Sequence, residues 1–359
     1  MKLVLNKVTK CSGRTGVLSG IERLANVTLE TPGLILHTKG GSVPHLSKDV
    51  LHCLGGKPEL AQYCLTSTEH MAEAMGATKQ GIAQFVAQSE CVSLLTLKDP
   101  AELCQPGFHE KDFVPIYGRS GRINLTTEKF IKLMEIFQPD IYVPLFDGDT
   151  DMNSSKKREQ KSVDRTETFV LECLEAHRSS EALKHSSILA PVVGGYNIKL
   201  REQSLMFLDQ HKGIIGGYLL AGLHSNGSSA CQVDEKLLKD TVSKICETLP
   251  AEKPRFAFGA FTPCIILELV SKGVDIFDTS YPYLKTQQHR ALTFSFNTDD
   301  DQFPDEWESE LDLQDSRWVE DFNGFVKNCS CLACTKHTRA YSHHLFNTRE
   351  MLGPILLMM

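Results

Sequence analysis

The chain lacks any run approaching the roughly 18 uninterrupted apolar residues that a membrane-spanning helix needs. Its opening, Met1-Lys2-Leu3-Val4-Leu5-Asn6-Lys7, has no apolar core long enough for a secretory signal. A cytosolic or nuclear protein is therefore expected. No Walker-type phosphate loop is present and the glycine pairs form no dinucleotide fingerprint, which excludes P-loop nucleotide hydrolysis and Rossmann hydride transfer. No repeat is visible beyond an alternation of apolar strands and amphipathic stretches. Basic runs are scarce: Lys156-Lys157-Arg158 with Lys161 stands alone, and a run that short reads more readily as a solvated loop than as a nucleic-acid grip. No His-x-His follows the first strand and no His and Asp ligands group there, so a metal-dependent barrel hydrolase ranks low.

What is present is a globular composition, 41% hydrophobic and 23% charged, over 359 residues. That length fits two domains or one large α/β barrel with an appendage. Nine of the twelve cysteines are scattered singly and read as buried thiols, whereas Cys329, Cys331 and Cys334 crowd into six residues. The net charge of −7 is also local: residues 299–321 hold eleven acids and one base, and the remainder has 37 bases against 34 acids. A one-sign run of this kind is expected to be a solvated, disordered insertion, with mimicry or regulation of an RNA-binding surface as the alternative.

Short apolar runs recur at helix-plus-strand spacing: Gly33–His37, Val92–Leu97, Ile141–Phe146, Ser187–Val193, Ile215–Leu220, Arg255–Gly259 and Val274–Phe277. Between several of them lie amphipathic stretches such as Phe130, Leu133, Met134 and Phe137, or Leu237, Leu238, Val242 and Ile245. Near-continuous apolar strands alternating with helices are the mark of parallel βα units, and about eight units in about 290 residues fit a closed (β/α)8 barrel of the TIM type. The domains expected are a barrel over 1–296, an acidic insertion over 297–325 and a C-terminal metal-binding subdomain over 326–359. Gly194-Gly195, Asp147-Gly148-Asp149, Gly222 and Asp278 follow strands directly, where barrel ligands bind; each alone is equally a turn residue or helix cap.

Cys329-Ser330-Cys331-Leu332-Ala333-Cys334 places three thiolates in one tight loop, as a structural tetrahedral zinc site requires when its ligands share adjacent backbone. Chance clustering of buried thiols is the alternative. His337, His343 and His344 are near enough in sequence to supply a fourth ligand, or they pack and cap.

Together with Thr338-Arg339-Ala340-Tyr341-Ser342-His343-His344-Leu345, this loop resembles the zinc subdomain of the tRNA-guanine transglycosylases, barrel enzymes that exchange a guanine at the anticodon wobble position for queuine or its precursor. Val274–Asp278 is similar to the family's strand bearing the nucleophilic aspartate. Gln138–Ile141 and Ser162–Thr166 resemble its middle section, and Gly217–Leu223 its strand end beside the base pocket. The resemblance runs from about Pro32 to Met359.

It implies one Zn2+ per chain held by Cys329, Cys331 and Cys334. In that family the fourth ligand is a histidine in a helix beyond an apolar run. Here that run is Met351–Met359, so the subdomain reads as truncated, and the fourth ligand is expected beyond Met359 or at His343 or His344. Asp278 becomes the nucleophile candidate, Asp99 a weak stand-in for the acid-base aspartate, and Asp147, Gly194 and Gly222 the base-pocket candidates.

The departures matter as much. Where catalytic members carry Asp-Ser-Gly-Gly-Phe-Gln, this chain reads Leu97-Lys98-Asp99-Pro100-Ala101. Asp-Glu-Cys is Asp147-Gly148-Asp149, the Gln-Gly loop is Val193-Gly194, and Pro-Thr-Arg is replaced by Pro282-Tyr283-Leu284-Lys285. Exchange at a ribose C1′ needs a carboxylate nucleophile, a second carboxyl to manage protons and a pocket for the flipped base. These losses match the accessory, non-catalytic paralogue of the eukaryotic enzyme, which pairs with a catalytic subunit and serves tRNAs with GUN anticodons. The alternative is an active enzyme using Asp278, and a stand-alone RNA-binding module ranks below both. The resemblance further implies a heterodimer, with a homodimer as alternative, contact with tRNA, and Tyr341, Leu345 and Phe346 at the subunit interface. The expected location is the cytoplasm, with a peripheral place at the mitochondrial outer membrane.

Overall fold

The computed structural model describes residues 1–55, 59–104, 109–293 and 308–359. Two compact units result: Met1–Gly41 with Pro58–Ser280, and Ser42–Lys57 with Tyr281–Met359.

The first unit is the expected (β/α)8 barrel. Its parallel strands are β1 (Gly33–His37), β2 (Leu60–Cys64), β3 (Val92–Thr96), β4 (Ile141–Tyr142), β5 (Ser187–Val192), β6 (Ile215–Leu220), β7 (Arg255–Ala257) and β8 (Ile276–Asp278). Each pairs with its neighbours in order, and β8 closes on β1 with Ile276 opposite Gly33 and Asp278 opposite Ile35. Strands β2, β3 and β6 are buried at every position, as strands covered on both faces must be. The principal outer helices are α1 (Thr127–Phe137), α2 (Lys156–Ser179), α3 (Ile198–Asp209), α4 (Glu235–Thr248) and α5 (Pro263–Ser271). They start at Thr126, Ser155, Asn197, Asp234 and Thr262, whose side chains each accept a backbone N–H of the first turn.

Strand β2 has no counterpart in the sequence reading, because Gln62 interrupts its apolar run and Gln62 is buried all the same. The strand expected over Ile141–Phe146 pairs only at Ile141–Tyr142. A three-stranded antiparallel sheet (Lys2–Val8, Arg14–Ser19, Leu29–Thr31) precedes the barrel and is also additional. Buried Arg14 fastens it to the loops that enter β7 and β8: its Nε and Nη2 donate to Asp275 at 2.7 and 2.6 Å, and its guanidinium also reaches the carbonyls of Ala251 and Lys253. Arg23 makes a second forked pair with Asp140, whose Oδ2 also accepts the N–H and hydroxyl of Ser93.

The second unit has its own core, with Leu313, Trp318, Phe325, Leu345, Phe346 and Leu356 at its centre. A strand pair, Arg290–Leu292 with Glu310–Asp312, leads into helices α6 (Leu332–Lys336), α7 (Arg339–Asn347) and α8 (Leu352–Met358). Two expectations are corrected. The barrel unit ends at Ser280 rather than at residue 296, because Tyr281 and Lys285 bond to Glu310 within the second unit. The insertion over 297–325 is not disordered where it is described. Residues 297–307 lie outside the described residues, but Glu310–Asp312 is a strand and Leu311, Leu313, Trp318 and Phe325 are buried. Apolar anchors spaced among the acids supply the core, and bases answer the charge: Glu308 and Asp315 pair with Arg317, Asp312 with Arg290, and Asp321 with Arg339. The guanidinium carbons of Arg317 and Arg339 lie 4.2 and 5.2 Å from the Trp318 ring centroid.

Breaking a buried ion pair by removing one partner leaves an uncompensated charge and costs roughly 3–5 kcal/mol. Arg14→Leu is expected to lower unfolding stability by about that amount in urea denaturation, and Arg14→Leu with Asp275→Leu should recover much of it. A loss under about 1 kcal/mol would show that Asp275 is satisfied without Arg14.

Candidate active-site cavity and metal cluster

A cavity opens at the C-terminal ends of the barrel strands, the end where barrel ligands bind. Gln62 of β2, Thr96 of β3 with Lys98 and Cys104 beyond it, Phe146, Gly148 and Asp149 after β4, Leu219 to Gly222 after β6, His224 to Asn226, and Phe258 after β7 contribute to its lining. Neither Asp99 nor Asp278 lines it.

Asp278 ends β8 and is 2% exposed. Its Oδ2 accepts the N–H of Gly259 at 2.6 Å and its Oδ1 the N–H of Ser280 at 2.8 Å, so both oxygens serve as backbone caps. Burial pushes its carboxyl up to about 6 despite these donors. Asp99 is equally buried; its Oδ1 accepts the N–H of Ala101 at 2.9 Å and lies 3.5 Å from Nε2 of His37. Burial raises it to about 6 as well, with the negative field of Glu102 adding to the effect, and burial lowers His37 to about 4.

The loop after Asp99 is stitched shut: Gly227 donates to the Pro100 carbonyl at 2.9 Å, Cys104 to the Ser225 carbonyl at 2.8 Å, and the Asn226 amide to the Asp99 carbonyl at 3.3 Å. A side chain at Gly227 would lie 2.7 Å from the Leu103 nitrogen, so the two loops meet at backbone distance.

Asp147 is fully buried and does not line the cavity, although Gly148 and Asp149 do. Arg158 and Arg165 donate to its two oxygens, and His109 Nδ1 is 3.4 Å away. Burial pushes this carboxyl up, but His109 and the two guanidiniums outweigh it and hold it below its ordinary value. His109 is itself lowered to about 4, chiefly by burial.

Gly222 lines the cavity with φ of 71°, and a Cβ there would lie 2.5 Å from Thr150 Oγ1. Gly194 lies behind the lining, with its φ of 125° and its neighbour Arg201 leaving no room for a side chain.

Arg201 is a positioning residue that the sequence reading missed. It is 1% exposed and donates to the carbonyls of Val192, Gly195 and Ala221 at 2.7, 2.7 and 2.8 Å, binding the end of β5 to the end of β6. Burial lowers its guanidinium to about 10. The available signal was its spacing from Ser204 and Leu208, which places a cation on the buried face of α3.

In the second unit, the sulfurs of Cys329, Cys331 and Cys334 lie within 4.8 Å of one another and could hold a metal ion. Cys331 caps the start of α6, and its sulfur accepts the N–H of Cys334 at 3.4 Å. No histidine joins this group among the described residues. His343 is committed elsewhere: its Nδ1 lies 2.7 Å from the Leu313 carbonyl and its Nε2 2.8 Å from the Asn347 amide. His337 and His344 stack on Tyr341, with ring centroids at 5.7 and 6.4 Å. Leu345 and Phe346 belong to the core, 3% and 8% exposed, and are not available to a partner, whereas Tyr341 is 42% exposed.

The sequence model of a family described as Queuine tRNA-ribosyltransferase matches residues 9–359. Among curated relatives, a Culex quinquefasciatus protein is 64% identical over 360 residues, which span the whole of this chain and 84% of that relative. Proteins from Aedes aegypti and Anopheles gambiae are 58% and 54% identical, again over the whole chain and over 85% and 83% of their own lengths. All three are named Queuine tRNA-ribosyltransferase accessory subunit 2.

The raised carboxyl of Asp278 carries a signed consequence. A folded-state value of about 6 against an ordinary 3.8 means that the folded chain holds this proton more tightly, so its contribution to stability falls as pH rises from about 4 to 6. Asp278→Asn, which is neutral throughout, should therefore gain stability relative to the parent chain over that range, as read by urea midpoints at stepped pH. A difference that stays flat would contradict the assignment.

Proposed function

Because the chain belongs to the queuine tRNA-ribosyltransferase family, we propose that it is the non-catalytic accessory subunit of such an enzyme, assembling with a catalytic subunit that exchanges guanine for queuine at the tRNA wobble position. The carrying observation is that both candidate carboxylates are sealed. Asp278 gives its two oxygens to backbone amides, and Asp99 lies outside the cavity lining in a loop closed by Asn226 and Gly227. A nucleophile must reach the anomeric carbon of a nucleotide bound in the cavity, and neither buried carboxylate lines it. Retention of Asp278 favours a second reading, exchange by this chain itself, but its amide contacts account for that retention as a cap between β7 and β8.

Zinc is the metal this reading assigns to Cys329, Cys331 and Cys334. Three thiolates in one short loop converge at little entropic cost. Half-buried Cys331 and Cys334 pack against the core that contains Phe325 and Ala333, where zinc would act as a structural staple. The same reading places the chain in the cytoplasm and brings it to the mitochondrial outer membrane only through its partner; no helix among the described residues is long and apolar enough to cross a membrane. The interface is narrowed to Tyr341 and its surroundings. Leu345→Asp would disrupt the core instead of testing the interface.

Incubated alone with tRNA and labelled guanine, the chain should give background incorporation, and adding the catalytic subunit should give exchange and a one-to-one complex by light scattering. Tyr341→Asp should weaken that complex. Incorporation by the isolated chain that vanishes in Asp278→Asn would establish the second reading instead. Elemental analysis should find one zinc per chain, absent from a triple Cys→Ser variant and retained in His343→Ala. Zinc lost from a folded His343→Ala variant would make His343 a ligand.

A further inference from the structure

Between β3 and α1 the chain forms an antiparallel hairpin, Val114–Gly118 with Gly121–Leu125, that takes no part in the barrel ladder. Its two faces differ. Val114, Ile116 and Leu125 are buried on one side, while the other presents Tyr117, 53% exposed, directly opposite Arg122. Arg119 and Ser120 form the exposed tip, and the guanidinium of Arg122 lies 6.0 Å from the Phe113 ring centroid. Exposed Lys111 stands just before the hairpin; neither it nor Arg119 makes an ion pair among the described residues. Because this segment connects a strand end to the following helix, it sits at the C-terminal end of the barrel, where the cavity opens. Exposed Lys156, Lys157 and Lys161 begin α2 at that same end.

We propose that this hairpin is an RNA contact in which Tyr117 stacks on an unpaired base while Lys111, Arg119 and Arg122 meet the neighbouring phosphates. The proposal rests on the reading that this chain touches tRNA, and it names the element that does so. Glu110, Asp112 and Glu69, the last with a carboxylate oxygen 3.7 Å from where a side chain at Gly118 would begin, oppose these cations. Stacking must therefore carry more of the binding than charge. An exposed aromatic ring flanked by arginines suits a nucleobase, which offers a π-face whatever its identity. A protein hot spot would call for exposed aliphatic neighbours on the same face; beside Tyr117 stand polar Arg122 and Asn124, and Pro115, opposite Asn124, is buried.

The test is fluorescence anisotropy with the full chain and two probes, an RNA stem–loop with unpaired loop bases and a fully paired RNA duplex, over a range of salt. Tyr117→Ala should weaken stem–loop binding about tenfold at an unchanged salt slope, Tyr117→Trp should restore it, and duplex binding should change little. Arg119→Ala with Arg122→Ala should reduce the salt slope by about 1.4, the value for two phosphate contacts on a single strand. Stem–loop binding within about twofold of the parent in Tyr117→Ala would overturn the hairpin assignment and leave the tRNA reading standing. A parent chain that binds neither probe would overturn both. Variants that bind RNA normally but fail to join the catalytic subunit would make this face a protein contact.

Discussion

Closure of the barrel depends on β8 lying against β1, and that pairing is fastened from below by one buried carboxylate. Asp275 accepts both arms of the Arg14 fork and the backbone N–H of Arg255, while its own carbonyl accepts the N–H of Gly33 where β1 begins. One residue thus links the N-terminal sheet with β1, β7 and β8 at the end of the barrel opposite the cavity. A forked, charge-assisted pair is strong because its geometry leaves little lone-pair capacity unmet, and its loss would strand a charge away from water. Asp140, held by Arg23 and Ser93, repeats the device at the entry to β4.

Those clasps explain how motifs shared with the family can be kept for structural reasons alone. Val274–Asp278 and Gln138–Ile141 resemble catalytic relatives, and in both the aspartate before the strand is a structural clasp. Asp278, at the other end of the same strand, caps Gly259 and Ser280. Selection for a closed barrel would retain all three carboxylates without any reaction. At the pocket, the Pro100 carbonyl accepts the N–H of Gly227, and Asp147 is bound by Arg158 and Arg165.

Much of this was readable from residue order. Strand composition and helix spacing gave the barrel, and three cysteines in six residues marked the metal cluster. What stayed hidden was tertiary. The run Leu60–Cys64 was not among the strands expected; Gln62 stands within it, and its burial is set by neighbours far away in the chain. The acidic run looked solvated because charge dominates a local window, whereas Trp318 and Leu313 are ordered by Arg339 and by helices α6 to α8. Leu345 and Phe346 looked like interface residues because an amphipathic helix does not say which body its apolar face will cover. Arg201, a cation satisfied by three carbonyls and no acid, left only its helical spacing as a clue.

The central claim is that Asp278 caps the backbone after β7 and β8 and takes no part in exchange. Its most direct test is the single-turnover exchange rate of the assembled two-subunit enzyme carrying Asp278→Asn in this chain alone. An unchanged rate, in a complex of normal stoichiometry, is the predicted result. A rate that falls to background while the complex stays intact would show that this carboxylate reaches the ribose after all.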